Sequence, residues 1–444
     1  MIVGGGFAGL WAIRTLAHVP ADVVLVDDHN YHSFLPLLYQ VAAAELEPEA
    51  IAFPFRAILR HLPHARFVQA RVTEVDLAAR QVHTSGPTLA YDYLIVATGS
   101  ASQFFGVAGA ADHAFVLKGI DDGMALRNHI LTRFELAEQL PPGNARQQAL
   151  TFAVVGGGPT GVEFSGALME LIRGPLMKDY ASLHRDDIRV LLMEATDSLL
   201  PGMPPDLQRY VAQRLRRMGV EVRLKSPVGQ VSADGLLLSD ATFLPTQTVV
   251  WTAGVRGDPL ARAWGLPTGR SGRVSTRPTL QVAGYPEVFV AGDLADPQAP
   301  GGPLPMTAPV ATQQGVWAAR NIARQMTGRL PLPFRFCDRG TMVTIGRNAA
   351  VADLRLAHFS GYPAWLLWLS IHLYNLIGIR QRLLVLLAWA WDYLFSERVV
   401  RLILPSQATQ LQPVREHKSP TAAETLIAKS EAIQRLTGHG QRQH

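Results

Sequence analysis

Two glycine-rich segments have the residue types and spacing that bind a phosphate-bearing ligand. The first is Val-Gly-Gly-Gly-Phe-Ala-Gly at 3–9, and the second is Val-Gly-Gly-Gly-Pro-Thr-Gly at 155–161. Each follows an apolar run and precedes a helix-like stretch, and the next apolar run ends in an acid, Asp27 or Glu194. This order of strand, glycine turn, helix, strand and acid predicts a dinucleotide site, with pyrophosphate at the helix N-terminus and the carboxylate on the ribose.

Three further apolar runs end in small residues and fit the same two units, at 91–99, 249–254 and 286–293. Two dinucleotide sites in one chain point to one site for FAD and one for NAD(P)H. The run at 286–293 ends in Gly-Asp and follows the second unit in the chain. In flavoproteins that bind two dinucleotides such a strand completes the first unit, and this chain resembles them here. The second nucleotide-binding unit is therefore predicted to be inserted into the first.

Length and composition exclude several other classes of protein. The chain has 444 residues, which suggests about three domains, and it is 48% hydrophobic and 17% charged, unlike an intrinsically disordered chain. The net charge of +5 suits an anionic surface or ligand but does not specify nucleic acid, and no nucleic-acid partner is predicted. No basic segment followed by a signal-type apolar run opens the chain, so secretion is not expected.

A single cysteine, Cys337, restricts the redox chemistry. One thiol forms neither an intramolecular disulfide nor a CxxC redox pair nor a zinc site, and no other cluster with metal-ligand spacing is present in the sequence, so no metal is predicted. Cys337 is interpreted as a core thiol.

Together these motifs resemble those of the two-dinucleotide-binding flavoproteins and, more narrowly, of the type II, non-proton-pumping NADH:quinone oxidoreductases. The resemblance spans residues 1 to about 404. Besides the two glycine turns it rests on segments 30–42, 249–255, 288–293 and 341–347. It implies an α/β fold with two Rossmann-type, glutathione-reductase-like domains, the NADH domain inserted in the FAD domain, plus a C-terminal membrane-associating helical region.

The resemblance also implies domain boundaries. The FAD-binding domain is expected at 1–115 and 256–330, the NADH-binding domain at 116–255, the membrane-anchoring and quinone-access region at 331–404, and a polar tail at 405–444. A short helix is expected at 422–436 in the tail, to which no function is assigned.

By the same resemblance, non-covalent FAD occupies the first site and the substrate NADH the second. The FAD-binding residues so implied are Gly4, Gly6, Phe7, Ala8, Gly9, Asp27, Val72, Ala97, Thr98, Gly99, Asp293 and Ala311. Those for NADH are Gly156, Gly158, Pro159, Thr160, Gly161, Glu163, Glu194 and Gly254. The acid Glu194 predicts NADH over NADPH, because a carboxylate would repel a 2′-phosphate and no Lys or Arg follows at 195–198 to receive one.

Two residues are the catalytic candidates. Glu163, placed in the first turn of the helix after the NADH glycines, is expected to position the nicotinamide or relay a proton. The alternative is an acid that merely favours the helix dipole. The segment 307–315 resembles the family's quinone motif Ala-Gln-x-Ala-x-Gln, with Pro309 in place of the first Gln. Gln313, beside Gln314, is the resulting quinone-side candidate, with helix capping or flavin packing as the alternative.

The block 331–404 is predicted to associate with a membrane surface. It holds eight arginines, four acids and four of the eight tryptophans. Its apolar runs at 363–379 and 383–391 are too short to cross a bilayer cleanly, so two helices lying in the interface are expected. His372, Asn375 and Arg382 are expected on one helical face. The alternative is a buried helical pair that packs a homodimer, and both roles are compatible.

These features predict a peripheral enzyme on the cytoplasmic face of the cell membrane. It would pass hydride from NADH to FAD and two electrons to a membrane quinone, as a homodimer and without proton pumping. Disulfide reductases and sulfide:quinone oxidoreductases of this fold need cysteine pairs and are excluded. One alternative is a soluble NAD(P)H-dependent flavin or ferredoxin-type reductase whose C-terminal helices only dimerise. The other is a non-catalytic nucleotide sensor or scaffold.

Overall fold

A computed structural model describes residues 1–297, 302–395, 397–398 and 400–404. The predicted tail helix at 422–436 lies outside the described residues. Strands β1 to β25 are, in chain order, Ile2–Val3, Val23–Asp27, Tyr31–Ser33, Ala52–Pro54, Ala65–Gln69, Val72–Asp76, Gln81–Thr84, Leu89–Ala90, Leu94–Val96, Ser100–Ser102, Thr151–Val155, Arg189–Met193, Val220–Arg223, Val228–Ser232, Gly235–Leu238, Phe243–Pro245, Thr248–Trp251, Val255–Gly257, Val274–Thr276, Gln281–Val282, Tyr285–Val290, Ala295–Pro297, Thr341–Thr344, Ala350–Asp353 and His358–Gly361.

The α-helices are distributed along the whole described chain. Helices α1 to α14 are, in the same order, Phe7–Leu16, Leu38–Ala42, Pro48–Ile51, Phe55–Leu59, Ala110–His113, Ile120–Gln139, Asn144–Ala149, Pro159–Leu171, Met177–Asp179, Pro205–Met218, Leu260–Ala263, Ala308–Met326, Tyr362–Asn375 and Ile379–Phe395.

The first glycine turn follows β1, an inner strand of an eight-stranded sheet with the order β22-β19-β20-β21-β9-β1-β2-β5. Strand β1 pairs in parallel with β2 and β9, and all three are apolar and mostly buried, as strands covered on both faces must be. Strand β21 pairs in parallel with β9, with Val288 opposite Leu94. The chain therefore returns to complete this sheet after it has formed the second one.

The second glycine turn follows β11, the inner strand of a parallel sheet with the order β13-β12-β11-β17. Every residue of β11 and β17 is buried. Helix α8 begins at the turn, and the chain reaches β12 through a longer crossover that contains a π-helical turn at Ile172–Leu176. The predicted fold class, with one nucleotide-binding unit inserted in the other, is confirmed. The exact domain boundaries stay a prediction.

Close helix packing positions the first turn from the opposite side. Helices α1 and α12 cross where a Cβ on Gly315 would overlap the backbone of Ala8, so only glycine allows this approach. Their apolar faces bury Leu10, Ile13 and Ile322 beneath the sheet. Helix α12 begins at Ala308 with Pro309 in its first turn, a position that proline commonly occupies.

The C-terminal block forms a three-stranded antiparallel sheet, β23 to β25, followed by α13 and α14. Two helices form, as predicted. The shared face predicted for His372, Asn375 and Arg382 is wrong, because α13 ends at Asn375 and Gly378, with φ +84°, separates it from α14. Arg382 instead donates to the carbonyl of Leu376 at the turn. Among the helices of the described residues, none has the length and apolarity needed to cross a bilayer.

Candidate active site

The first glycine turn joins β1 to α1 and holds a carboxylate against its backbone. Gly4 has a φ of +96°, which residues with side chains rarely adopt, and a Cβ on Gly9 would overlap the carbonyl oxygen of Gly4. Helix α1 therefore begins in direct contact with the end of β1. The Gly5 amide donates a 2.6 Å hydrogen bond to Asp27 Oδ2. The turn and the acid lie together as a dinucleotide fingerprint requires.

Three buried polar atoms near this turn have no hydrogen-bond partner among the described residues: Thr98 Oγ1, His32 Nε2 and Gln314 Nε2. Thr98 follows β9, and His32 Nδ1 lies 3.0 Å from the carbonyl oxygen of Gly5. Gln314 is fully buried and its Oε1 accepts a 2.8 Å hydrogen bond from the Gly292 amide. Buried polar atoms are costly to leave unpaired, so these residues fit a bound dinucleotide such as FAD.

The carboxylate of Asp293 is held by a short polar chain. Its Oδ2 accepts a 2.7 Å hydrogen bond from the Ser100 hydroxyl, which accepts one of 2.9 Å from Lys118 Nζ. Burial lowers the pKa of Lys118, and the carboxylates of Asp293 and Asp122 oppose that shift. Sequence reasoning missed Ser100 and Lys118, because they lie nearly two hundred residues before Asp293 and no local pattern marks them.

The other residues predicted for the first site surround the same turn. Phe7, at the start of α1, contacts His32 edge-on at 5.1 Å between ring centroids. Small or buried residues line the approach to the turn, and Val72 packs in the cluster beneath β1 and β2. Those small or buried residues are Gly6, Ala8, Ala97, Gly99 and Ala311. In the part of the chain that the structure describes, no atom lies within 4 Å of a Cβ built on Gly6 or Gly99.

The second glycine turn repeats the geometry of the first. Gly156 has a φ of +111°, and a Cβ on it would lie 2.7 Å from the Ala253 amide nitrogen. A Cβ on Gly161 would overlap the carbonyl oxygen of Gly156, so α8 also starts against its strand. The Gly157 amide donates a 2.7 Å hydrogen bond to Glu194 Oε2. The structure thus brings the glycines and the acid predicted for NADH to one place.

The second turn is exposed at the start of α8, where a ligand would bind. Among the described residues, no atom lies within 4 Å of a Cβ built on Gly158, and Pro159 and Thr160, which start α8, are both exposed. Gly254 ends the segment after β17 with a φ of +70° and faces the ring of Phe105. The exposed N-terminus of α8 presents unpaired amides of the kind that bind a pyrophosphate.

Replacing Glu194 with glutamine is expected to raise the KM for NADH about tenfold and to narrow the preference for NADH over NADPH. Glu194 accepts hydrogen bonds from the amides of Gly157 and Thr196, and a glutamine would present an N–H to one of these donors. The NADH ribose expected at this acid would also lose a charge-assisted hydrogen bond, which costs about 1.5 kcal/mol or more, roughly tenfold in affinity. Initial rates with NADH and NADPH test this, with the exposed Asp197→Asn as control. An unchanged KM for NADH would contradict it.

A cavity of about 500 Å³ lies between α2, α8, α13 and α14. Ring contacts connect it to the first site: Phe34 lies 5.8 Å from Phe7 and 6.3 Å from His372, whose ring stacks on Trp368 at 4.0 Å. The walls are mostly aromatic and aliphatic, and several polar and charged side chains also line the cavity. The apolar lining includes Trp365, Trp368, Leu369, Leu373, Leu386 and Trp389, and the polar lining includes Gln40, Glu45, Glu163 and Glu170.

Glu163 places a carboxyl in this apolar cavity. Burial raises its pKa to about 8, although the Thr344 amide, 3.4 Å from Oε1, and the Trp368 indole favour the charged form. Glu163 is therefore largely protonated at neutral pH. Its predicted position in the first helical turn is wrong, because α8 begins at Pro159 and Glu163 is its fifth residue. A charge effect on the helix end fades beyond the first turn, which weakens the dipole explanation.

The glutamines predicted for the quinone do not line the cavity. The Gln313 amide forms a reciprocal pair with the backbone of Cys337, at 2.9 and 3.0 Å. Gln314 faces Gly292 at the first site. The prediction that Cys337 is a core thiol is wrong, because it is exposed in an extended segment that lies across α12. Gln40, at the cavity, was not predicted, although it lies within the segment 30–42.

Comparison with known proteins places the chain among redox enzymes. The profile of the pyridine nucleotide-disulphide oxidoreductase family matches residues 1–315, and that of the NDH2 C-terminal domain matches residues 339–398. The type II NADH:quinone oxidoreductase Ndh of Mycobacterium tuberculosis is 36% identical over 447 residues, covering 97% of this chain and 96% of the relative. That of Staphylococcus haemolyticus is 30% identical, covering 79% and 88%.

Solved structures show the same fold at lower sequence identity. NDH2 of Plasmodium falciparum in complex with NADH superposes with a TM-score of 0.84, at 19% identity, covering 91% of this chain and 99% of the other. The sulfide:quinone oxidoreductase of Aquifex aeolicus gives a TM-score of 0.69 at 16% identity, covering 89% and 95%. At such identities the likeness concerns the fold alone.

Proposed function

The chain belongs to the pyridine nucleotide-disulphide oxidoreductases and, within them, to the type II NADH:quinone oxidoreductases, and from this membership we propose that it oxidises NADH and reduces a quinone with FAD as cofactor. The observation that carries the proposal is the position of α8. Its N-terminus forms the second glycine turn, and its second turn carries Glu163 into the apolar cavity. One helix thus connects the nucleotide site to a cavity suited to an apolar acceptor.

The residues assigned to the two nucleotides would bind and orient them. When bound, FAD supplies the group that accepts hydride and passes electrons on. The first turn is proposed to hold the pyrophosphate of FAD, and Asp27 its ribose. Asp293, which is hydrogen-bonded by Ser100, is proposed to hold the part of FAD between the pyrophosphate and the flavin ring. The second turn and Glu194 are proposed to hold NADH. Close and aligned placement of reactants accounts for roughly 7–11 kcal/mol of barrier reduction.

Glu163 is proposed to serve the quinone side. Its carboxyl is largely protonated at neutral pH and lies in a cavity with several aromatic walls. Quinone reduction requires protons at both ring oxygens, and a protonated carboxyl within the cavity is suited to donate one of them. Gln313 and Gln314 are proposed only as supports of the neighbouring segments.

The function is tested by following the flavin absorbance in the absence of oxygen. Addition of NADH to the purified yellow protein is expected to bleach the flavin absorbance, and a short-chain ubiquinone is then expected to restore it. Absence of bleaching would favour a nucleotide sensor or scaffold. Bleaching that ferredoxin but not quinone reverses would favour the soluble reductase. Both results would overturn the proposal.

The C-terminal helices are proposed to lie on the cytoplasmic face of the cell membrane. Helix α14 exposes a large apolar surface to solvent, and the exposed Arg380 supplies positive charge in its first turn. Soluble proteins usually expose apolar residues singly, whereas the exposed apolar residues of α14 form one surface, as expected of a helix that lies in a membrane interface. The exposed large apolar residues of α14 are Ile379, Leu383, Leu384, Leu386, Leu387, Trp391, Tyr393, Leu394 and Phe395. The enzyme is also proposed to form a homodimer through surfaces next to these helices, and to reduce quinone without pumping protons.

The variant Leu387→Glu/Leu394→Glu is expected to bind anionic lipid vesicles roughly 100-fold more weakly. The two side chains are 65% and 72% exposed and lie on one face of α14. Losing about 1.5 kcal/mol of burial at each leucine gives that factor. Vesicle co-sedimentation measures it, and Leu330→Glu, at an 82% exposed leucine outside these helices, is the control. Equal binding of the double variant and the parent would argue that this face packs a dimer instead.

A further inference from the structure

Five charged side chains form a cluster beside the floor of the apolar cavity. Arg398 is central, with a side chain only 1% exposed. Its Nη1 donates 2.8 Å hydrogen bonds to the carbonyls of Ala43 and Ala167, which fixes it between the end of α2 and α8. Its Nη2 lies 3.2 Å from Glu170 Oε2 and 3.5 Å from Glu45 Oε2. Two carboxylates therefore share one buried guanidinium.

The other two members of the cluster, Arg347 and Asp392, complete it from the C-terminal block. Arg347 Nη2 donates to Asp392 Oδ2 at 3.2 Å, and the Arg347 amide donates to Glu170 Oε1 at 2.5 Å. Asp392 Oδ1 lies 3.9 Å from Arg398 Nε. The cluster thus contains three carboxyls and two guanidiniums. One carboxyl is in excess, and a proton on it makes the cluster neutral, which burial favours.

The cluster separates two cavities. Glu45, Glu170, Arg347 and Asp392 line the apolar cavity that also contains Glu163. Glu170, Arg347, Asp392 and Arg398 line a second cavity of about 280 Å³, whose rim carries the exposed Arg173. A group that exchanges a proton within this cluster therefore has access to the protein surface on one side and to the cavity on the other.

The reaction itself requires one proton from the solvent. NADH gives up a hydride, which is two electrons and one proton, whereas formation of a quinol takes two electrons and two protons. Each turnover therefore consumes NADH, quinone and one proton, and produces NAD⁺ and quinol. The cluster has one carboxyl without a balancing guanidinium, so it can hold one proton, and each turnover takes up one proton from the solvent.

Building on the proposed function, we propose that the cluster of Glu45, Glu170, Arg347, Asp392 and Arg398 is the proton entrance to the quinone cavity, with Glu45 as the residue that holds the transferred proton. Glu163 gives its proton to a quinone oxygen, so that its O–H bond breaks and a quinol O–H bond forms. Glu45 then returns a proton to Glu163 through water in the cavity. It is reprotonated from water in the second cavity through Glu170 and Asp392, the two carboxyls that line both cavities.

The surroundings of Glu45 are consistent with this role. Burial, Asp392 and Glu170 raise the pKa of Glu45 to about 7, while Arg398 and Arg347 oppose the shift. Further charged or titratable groups face the cluster from other elements. They are Tyr39 and Glu163 on the apolar cavity, and Arg173 and Arg214 on the second cavity.

The test compares two electron acceptors in the complete FAD-loaded enzyme carrying Glu45→Gln. We expect NADH oxidation by a short-chain ubiquinone to slow about tenfold at pH 7.5, with a larger solvent deuterium isotope effect. Ferricyanide takes up electrons without protons, so NADH:ferricyanide turnover and flavin content should match the parent. Formate, a small weak acid, should restore part of the quinone rate. The control is Glu47→Gln, at an exposed glutamate two residues away.

Glutamine removes the excess negative charge and leaves the cluster neutral, so the variant is expected to fold. Equal quinone rates in Glu45→Gln and the parent would overturn the proposal, as would equal losses with both acceptors. A parent enzyme that reduces ferricyanide but no quinone would instead refute the proposed function. The two failures are distinguishable, because the second is measured without any substitution.

Discussion

Replacing Gly9 with alanine is expected to yield a protein that retains almost no FAD and lacks activity with every acceptor. The added Cβ would overlap the carbonyl oxygen of Gly4, which is backbone and cannot rotate away. Either α1 moves away from β1, or the turn loses the shape that holds Asp27 and receives a pyrophosphate. Overpacking typically costs about 1–3 kcal/mol, and an overlap with backbone falls at or above that range. Flavin released by denaturation, per mole of protein, is the measurement.

Two further glycine substitutions separate the local effect from general destabilisation. Gly161→Ala creates the same overlap at the second turn, with Gly156, and should keep the yellow colour while weakening NADH binding. Gly86→Ala, at an exposed glycine where a Cβ meets no atom closer than 3.7 Å, should resemble the parent in both respects. Normal FAD content in Gly9→Ala would show that the first turn does not bind the cofactor.

Replacing Glu163 with glutamine is expected to slow quinone reduction roughly 10- to 100-fold while leaving ferricyanide reduction nearly unchanged. Glutamine keeps the size of the side chain and the contact with the Thr344 amide but has no acidic proton to give. General acid catalysis contributes about 10²- to 10⁴-fold, of which water in the cavity is expected to recover a part. Steady-state rates with the two acceptors measure the difference.

The pH dependence gives an independent signature of the same residue. Glu163 donates only when protonated, so the quinone rate of the parent should fall as the pH rises through about 8, whereas the rate of Glu163→Gln should lack that limb. A falling limb at the same pH in both proteins would assign it to another group. An equal loss with both acceptors would assign Glu163 to nicotinamide positioning.

The free energy of unfolding should also depend on whether Glu163 is protonated. The pKa of Glu163 is raised from its ordinary 4.5 to about 8 in the folded state, so between these values the folded chain binds a proton that the unfolded chain does not. The resulting stability is fully present below pH 4.5 and is lost as the pH rises through 8. Glu45, with a pKa of about 7, adds to the same trend. Glu163→Gln should therefore lose less stability than the parent between pH 6 and pH 9.

The nucleotide sites were accessible to sequence reasoning because their determinants are local. In a β-turn-α unit the glycine spacing, the helix start and the acid at the end of the next strand all follow from one short stretch of chain. Asp27 and Glu194 accordingly lie on the turns for which they were predicted. The insertion of one unit in the other was implied by the resemblance to flavoproteins that bind two dinucleotides, in which a Gly-Asp strand such as β21 joins the first unit. The pairing of β21 with β9 agrees with it.

The quinone side was less accessible, because it is assembled from distant parts of the chain. The motif at 307–315 suggested Gln313, yet its amide pairs with the Cys337 backbone, a contact that no periodicity encodes. The cavity instead combines α2, α8 and two C-terminal helices, and the identity of its polar floor depends on how they pack. The helix break at Gly378, which separates Arg382 from His372, likewise requires a backbone conformation that the apolar pattern does not reveal.

By itself the sequence determined two dinucleotide-binding units, the absence of cysteine-pair chemistry and an apolar C-terminal block, since these depend on residue type and short-range spacing. Only the tertiary structure decided which side chains share a cavity or a charge. Arg398 contacts Ala43, Ala167 and Glu170 from more than two hundred residues away. Burial, which raises the pKa of Glu163 and Glu45, arises only after those segments have packed together.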